Sequence, residues 1–245
     1  MNLYDILKHS QPSLKKALAD HLKERDIINS DGFLYSSGDI PVLLVAHLDT
    51  VHRRVKRIIK HGDILTSPSG IGGDDRCGVY MILEIIKKVN CHVLFCEDEE
   101  SGAVGARKFI QSGIIPDINY IVELDRRGSN DAVFYDCDNP DFTKFVLAHK
   151  FKFAYGSFSD ISVIAPALGV AAVNISSGFY NEHSKSEYIN LRDVHRNIKR
   201  VTKMILADTQ KFDYISAFDY YDDVLPLMQL SDGDYISLNG ELDCN

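Results

Sequence analysis

Two histidines and a set of acids stand in this 245-residue chain at places where a metal ion could be held. His47 and Asp49 follow the apolar run Val42-Leu43-Leu44-Val45-Ala46. Positions two apart in an extended segment point the same way, so these two side chains share a side. A histidine that binds metal through one ring nitrogen is held by a carboxylate on the other, and Asp49 is placed for that part. Asp74 and Asp75 follow Gly72-Gly73 in a glycine-rich turn, and Glu97-Asp98-Glu99-Glu100 follows the apolar run Val93-Leu94-Phe95. Four consecutive acids repel one another unless solvent or a cation relieves them. Asp125 ends the run Tyr120-Ile121-Val122-Glu123-Leu124, and His183 lies in Tyr180-Asn181-Glu182-His183-Ser184.

Each of these has a plainer reading alone: an N-capping aspartate, acids in a helix's first turn, a solvated charge run, a surface histidine. Their common position decides between the readings. His47, Asp74, Glu99 or Glu100, Asp125 and His183 all come just past an expected strand or in the turn after one. Two histidines and three carboxylates make a borderline-to-hard donor set, suited to a pair of Zn²⁺ ions and also to Mn²⁺ or Co²⁺. Such a pair activates water and polarises a carbonyl, with one further carboxylate serving as base.

The elements that must position these residues follow from hydrophobic pattern. Residues 2–25 read as two helical pieces broken at Ser10-Gln11-Pro12. Short, continuously apolar runs at 33–35, 42–46, 92–95, 120–124 and 169–175 read as strands, and 55–66 as a hairpin turning at His61-Gly62-Asp63. Helices are expected over 74–88, 103–110 and 142–149, and Leu191, Val194, Ile198, Val201 and Ile205 mark a long amphipathic one. Buried strands alternating with helices give a single-domain, three-layer α/β/α sandwich around a mixed, mostly parallel sheet. In such sheets, sites form at the carboxyl ends of strands.

Composition agrees with a folded catalytic domain. The chain is 45% hydrophobic and carries a net charge of −8, which argues against a nucleic-acid or anionic-membrane coat. The eight acids after Lys211 account for that excess, so residues 1–211 read as a neutral catalytic domain with an N-terminal helical segment over 1–30. Residues 212–245 read as an acidic, aromatic-rich tail packed on that domain, with a self-association arm as the sharper alternative. Five scattered cysteines without a CxxC pair, no basic-then-apolar leader and no run near 20 apolar residues lead to the expectation of a cytoplasmic protein with reduced thiols.

The order and wording of the polar blocks resemble the co-catalytic zinc exopeptidase superfamily, which includes peptidase T, the di-zinc aminopeptidases and the acetylornithine and succinyl-diaminopimelate deacylases. The blocks are AHLDT (46–50), GGDDRCG (72–78), EDEESGAVGA (97–106), ELD (123–125) and NEHSKSE (181–187), and the likeness runs from about residue 40 to 205. The resemblance implies that His47 and Asp125 bind one zinc and Glu100 and His183 the other, with Asp74 bridging. It makes Asp49 the carboxylate behind His47 and Glu99 the general base toward a metal-bound hydroxide. The 58 positions between Asp125 and His183 leave no room for the lid domain of the peptidase T branch, so the site should be an open cleft rimmed by loops 50–56, 97–103, 126–130 and 176–184. Tyr180 is the candidate to replace the lid's contribution to the oxyanion.

The activity so implied is amide hydrolysis at the ends of small peptides, first as an aminopeptidase, with Asp160 or Glu182 as candidate acids for the substrate amine. An N-acyl amino acid deacylase or a carboxypeptidase is the enzymatic alternative, with Arg126, Arg127, Arg53 or Arg54 to hold a carboxylate. An inactive binding module is the non-enzymatic one. The partners expected are a small peptide or N-acyl amino acid and a possible homo-oligomer, with no nucleic acid and no membrane.

Overall fold

The computed structural model describes residues 1–52, 55 and 57–217. In chain order its elements begin with α1 (Leu3–Ile6), α2 (Gln11–His21), β1 (Ile27–Ser30), β2 (Phe33–Ser36) and β3 (Ile40–His47). The hairpin β4 (Ile59–His61) and β5 (Ile64–Thr66), then α3 (Gly73–Ile85), β6 (Cys91–Cys96), α4 (Val104–Gln111) and β7 (Tyr120–Arg126) follow. Next come β8 (Asp131–Val133), α5 (Pro140–Ala148), β9 (Lys152–Ala154), α6 (Ile161–Leu168) and β10 (Ala172–Ser176). The last are β11 (Phe179–Tyr180), β12 (Tyr188–Asn190) and α7 (Leu191–Ile205).

Eight strands form the main sheet in the order β1-β2-β6-β3-β7-β10-β8-β9. Its centre, β6-β3-β7-β10, is parallel, while β2 and β8 join that centre antiparallel. The central strands are buried on both faces, which is why they read as unbroken apolar runs. Successive residues go to opposite layers. Leu44, Val93, Val122 and Val173 pack with Leu14, Ile82, Phe142 and Val201 of α2, α3, α5 and α7. Leu43, Val45, Leu94 and Ile121 pack with Phe109 of α4 and Ile164 of α6. The expected three-layer α/β sandwich around a mixed sheet is the observed one.

Register brings the polar strand ends together. His47 pairs with Cys96 and Val45 with Glu123, so the segments 47–49, 97–100 and 125 leave the same end of neighbouring strands. A second sheet of four strands, β11-β12-β5-β4, was not expected; here the 59–66 hairpin pairs with β12 through Tyr188 and Thr66. The helix α6 was also unread. Its sequence ISVIAPAL is apolar on all sides and carries Pro166, so it has no amphipathic period to show.

The 58 positions between Asp125 and His183 are spent on β8, α5, β9, α6, β10 and β11, which belong to the two sheets or pack on the main one. The segment assigned to a tail begins inside the fold. Phe212 is buried in the core, and Val170 bridges to Asp213 and Cys137 to Ser216. Of the tail, residues 218–245 lie outside the described residues, as do Arg53 and Arg54.

Candidate metal centre

His47 ends β3 with its ring buried, 1% exposed. Its Nδ1 donates to Asp49 Oδ1 at 3.2 Å. A carboxylate only accepts, so Nδ1 carries a proton. The other ring nitrogen, Nε2, faces Asp74 Oδ1 at 3.1 Å and Asp125 Oδ1 at 3.3 Å. Without a cation there it donates to these acids, which against the pull of burial raise His47 above the usual histidine range. On the other side of Asp74, its Oδ2 lies 3.1 Å from His183 Nε2, and Glu100 Oε1 lies 3.0 Å from the same nitrogen. Within each trio the ligand-type atoms lie within 4.8 Å of one another: His47, Asp74, Asp125 and Asp74, Glu100, His183. Lone pairs converging on one point repel unless a proton or cation sits among them. Nitrogen and oxygen donors in trios sharing one carboxylate fit two divalent cations of the zinc class.

The charges show the same crowding. Burial, then the Asp74 charge, pushes Asp125 up to about 7. Burial and the neighbouring Asp125, Asp160 and Glu100 push Glu99 up to about 8 against the pull of His47. Burial would raise Asp74 too, but the hydrogen bonds from His183 and His47 outweigh it and hold Asp74 below the usual carboxylate range. The Asp74 contact, ahead of opposing burial, takes His183 to about 9.

Local structure explains how each side chain is aimed. Asp74 sits one residue into α3, after N-cap Gly72 at φ 67°, a left-handed conformation that glycine adopts at no steric cost. The Asp74–Asp75 peptide is cis. Asp75 points away from the trios, accepting from Gly78 N at 2.8 Å and from His47 N at 3.4 Å, and a Cβ at Gly78 would collide with its carboxylate. Asp49 does more than hold His47, since it also accepts from Glu99 N at 3.1 Å and Glu100 N at 3.0 Å. One carboxylate thus ties the β3 end to the acidic loop. Asp125 is set by Ser159, which donates to its Oδ2 at 3.1 Å, and by Asn174, which accepts from its N–H. Asp98 and His183 sit at φ 59°, a left-handed region that aspartate and histidine enter more readily than most residues. The His183 side chain is 51% exposed, so one trio is buried and the other opens to solvent.

Several residues with a part in this arrangement went unread. Glu187 is fully buried and accepts from Gly72 N at 2.7 Å and Asp74 N at 3.0 Å, with His52 Nε2 at 2.8 Å. It holds the turn that carries Asp74. The only trace in the sequence is a glutamate closing the block 181–187. Ser159 and Asn174 gave no signal, nor did Lys15 and Gln11 of α2, which bind Glu97 and Asp98 of the acidic loop.

The candidates for substrate contacts lie apart from the trios or are already engaged. Tyr180 donates to Asp193 Oδ2 at 2.6 Å, so its hydroxyl is directed to α7 and not to an oxyanion. Asp160 is 0% exposed, beyond the reach of an incoming amine. Arg127 pairs with Glu182, and Arg126 Nη2 donates to the Tyr155 carbonyl at 3.1 Å.

The sequence profile of peptidase family M28 matches residues 34–166, more than half of the chain. The matched stretch contains His47, Asp74, Glu99, Glu100 and Asp125 and stops before His183. No curated protein sequence matches the chain. Among solved structures, the aminopeptidase PepT of Bacillus cereus superposes with a TM-score of 0.68 at 13% identity, over 83% of this chain and 96% of that one. The TET1 peptidase of Pyrococcus horikoshii, which can assemble into a tetrahedron or a large octahedral shell, gives 0.60 at 15%, over 80% and 94%. A glutaminyl cyclase of Porphyromonas gingivalis gives 0.60 at 15%, over 83% and 94%. At these identities the likeness is one of fold.

Proposed function

The chain belongs to peptidase family M28, within the co-catalytic zinc exopeptidase superfamily, and from that membership we propose a two-zinc aminopeptidase acting on short peptides. The observation that carries the reading is the carboxylate of Asp74, one oxygen on each of two donor trios. His47 and Asp125 would hold one ion, Glu100 and His183 the other, and Asp74 both. Ions held there would polarise the scissile carbonyl and make water acidic enough to attack it near neutral pH. Manganese or cobalt fits the same donors less selectively.

The chain's own residues do the rest. Glu99 is anchored through its N–H to Asp49 beside the cluster, and burial and the acids around it raise its affinity for a proton. It takes the proton of the attacking water and returns it to the leaving amine. Asp49 keeps the His47 tautomer fixed and keeps the Glu99–Glu100 backbone against it. Substrate arrives from the His183 side, where the second trio meets solvent. Fold alone does not choose among peptidase, deacylase and glutaminyl cyclase chemistry, because these reactions share a scaffold. Among the described residues, no helix is long and apolar enough to cross a membrane.

The test is a hydrolysis screen of zinc-loaded, chelated and zinc-restored protein against free-amino, blocked-amino and N-acyl substrates. Cleavage of free-amino peptides alone, lost with chelator and regained with zinc, is expected. Turnover that survives full chelation, or equal cleavage of blocked peptides, refutes the reading.

A further inference from the structure

A cavity of about 320 Å³ lies beside the candidate metal centre, and it shares the walls Asp49, Thr50 and Gly72 with it. Arg76, which follows the Asp74–Asp75 pair into α3 and is only 3% exposed, also lines it. A buried guanidinium has five N–H donors to satisfy. Among the described residues this one makes a single hydrogen bond, from Nη1 to the Ile6 carbonyl at 3.2 Å, while its Nε is buried with no partner. No carboxylate of those residues comes within 4.0 Å of it. Burial disfavours its charge, while Asp49 and Asp75 attract it from beyond contact distance. A buried guanidinium with no carboxylate in contact gains from a bound anion.

The start of the eleven-residue helix α2 also lines the cavity, through Ser10 and Gln11. Ser10, its N-cap, makes no side-chain bond to the first turn, where Pro12 has no N–H and Leu14 N is spent on the Ser10 carbonyl, so Gln11 N is the donor this end can offer. Asp49 is the one carboxylate in the wall, and both its oxygens are taken by His47, Glu99 and Glu100 on the metal side. His52, also in the wall, has its Nε2 2.8 Å from Glu187 Oε2.

We propose that this cavity is a carboxylate subsite in which Arg76 and the α2 N-terminus hold the C-terminal carboxylate of a short peptide whose amino end lies at the metal centre. The inference rests on the peptidase reading above. Asp49, which holds His47 of the cluster, lines the same cavity as Arg76, so a short peptide with its amino end at the cluster can extend into it. Such a site selects for short peptides with a free carboxyl end and against amidated ones.

The test compares Leu-Gly-Gly with Leu-Gly-Gly-amide on zinc-loaded protein, for wild type, Arg76→Gln and Ser10→Glu. Wild type is expected to favour the acid by about 10- to 100-fold in kcat/KM, the range for one charge-assisted pair. Both variants should bring the acid-to-amide ratio close to one. Ser10→Glu puts a competing carboxylate at the rim without touching the packing of Arg76, so it decides even where Arg76→Gln does not fold. Equal kcat/KM for acid and amide in wild type, or a preference that survives Ser10→Glu, overturns the proposal. Acetate should compete with the acid substrate in wild type. Activation by acetate without competition would assign the site to a separate anion and overturn the substrate role. If no peptide is cleaved at all, the peptidase reading has failed, and calorimetry with Gly-Gly-Gly and its amide reads the subsite by itself. Tighter binding of the acid, lost in Ser10→Glu, then supports the carboxylate site, and equal binding overturns it.

Discussion

Glu187→Gln should damage metal binding from a position that touches no ion. The wild-type carboxylate is fully buried and accepts from Gly72 N at 2.7 Å and Asp74 N at 3.0 Å. Glutamine keeps the shape but offers one acceptor oxygen and one NH₂ group, so one of those two N–H groups faces another donor. A buried N–H left unpaired costs about 1–3 kcal/mol, and loss of charge assistance on the other bond adds about 1 kcal/mol. The expected destabilisation is thus about 2–4 kcal/mol, a fall in Tm of roughly 5–15 °C for a domain of this size. The turn that loosens carries Asp74, the residue common to both donor trios, so affinity should drop about 10- to 100-fold at both metal positions. Urea unfolding and zinc titration against a chromophoric chelator measure the two effects. Glu84→Gln, in an exposed pair with Lys87, is the surface control and should change stability by less than about 0.5 kcal/mol. Wild-type zinc affinity in Glu187→Gln, with stability inside the control's range, would refute the role given to Glu187.

Glu99→Gln should leave two zinc ions per chain and lower kcat by about two to four orders of magnitude; unchanged turnover would show that the base is elsewhere. Asp74→Ala should empty or scramble both positions, whereas Asp75→Asn should keep the stoichiometry and lose stability through its bonds to Gly78 and His47; two ions per chain in Asp74→Ala by metal analysis would place the bridge elsewhere. Chelated protein should lose stability as pH rises. Burial puts Asp160 at about 6, Asp125 and Glu187 at about 7 and Glu99 at about 8, all above their unfolded values. The native state therefore holds these protons more tightly, and the stability they give is full below about pH 4 and lost as pH rises through 6–8. Zinc, replacing the protons, should flatten the profile, and a urea midpoint that climbs over that range in chelator would contradict the sign.

What could be read from the sequence divides along physical lines. The central strands were legible because burial on both faces leaves unbroken apolar runs such as 42–46 and 120–124, and α7 because one face of it meets the core at helical spacing. The short strands β8, β9 and β11 were not, since two or three residues hold no period. Nor was the pairing of the 59–66 hairpin with β12, a contact made across more than 120 positions. Nothing local in either segment announces the other.

The site shows the same division with one more step. His47, Asp74, Glu100, Asp125 and His183 stood out because each interrupts or follows an apolar run with a metal-ligating residue type, and strand order alone brings runs with parallel register to one edge. The residues that hold them carry no such mark. Ser159, Asn174 and Glu187 act through single hydrogen bonds to a neighbour's backbone or carboxylate, and a serine, asparagine or glutamate in a loop is ordinary without the coordinates of its partner. Arg76 is the sharpest case. Read in GGDDRCG it is one more charge in a helix's first turn, and only its burial with a single hydrogen bond among the described residues makes it a question about ligands. Chemistry that needs a residue type is written in the sequence, whereas chemistry that needs an unsatisfied one exists only once the fold has taken away the water.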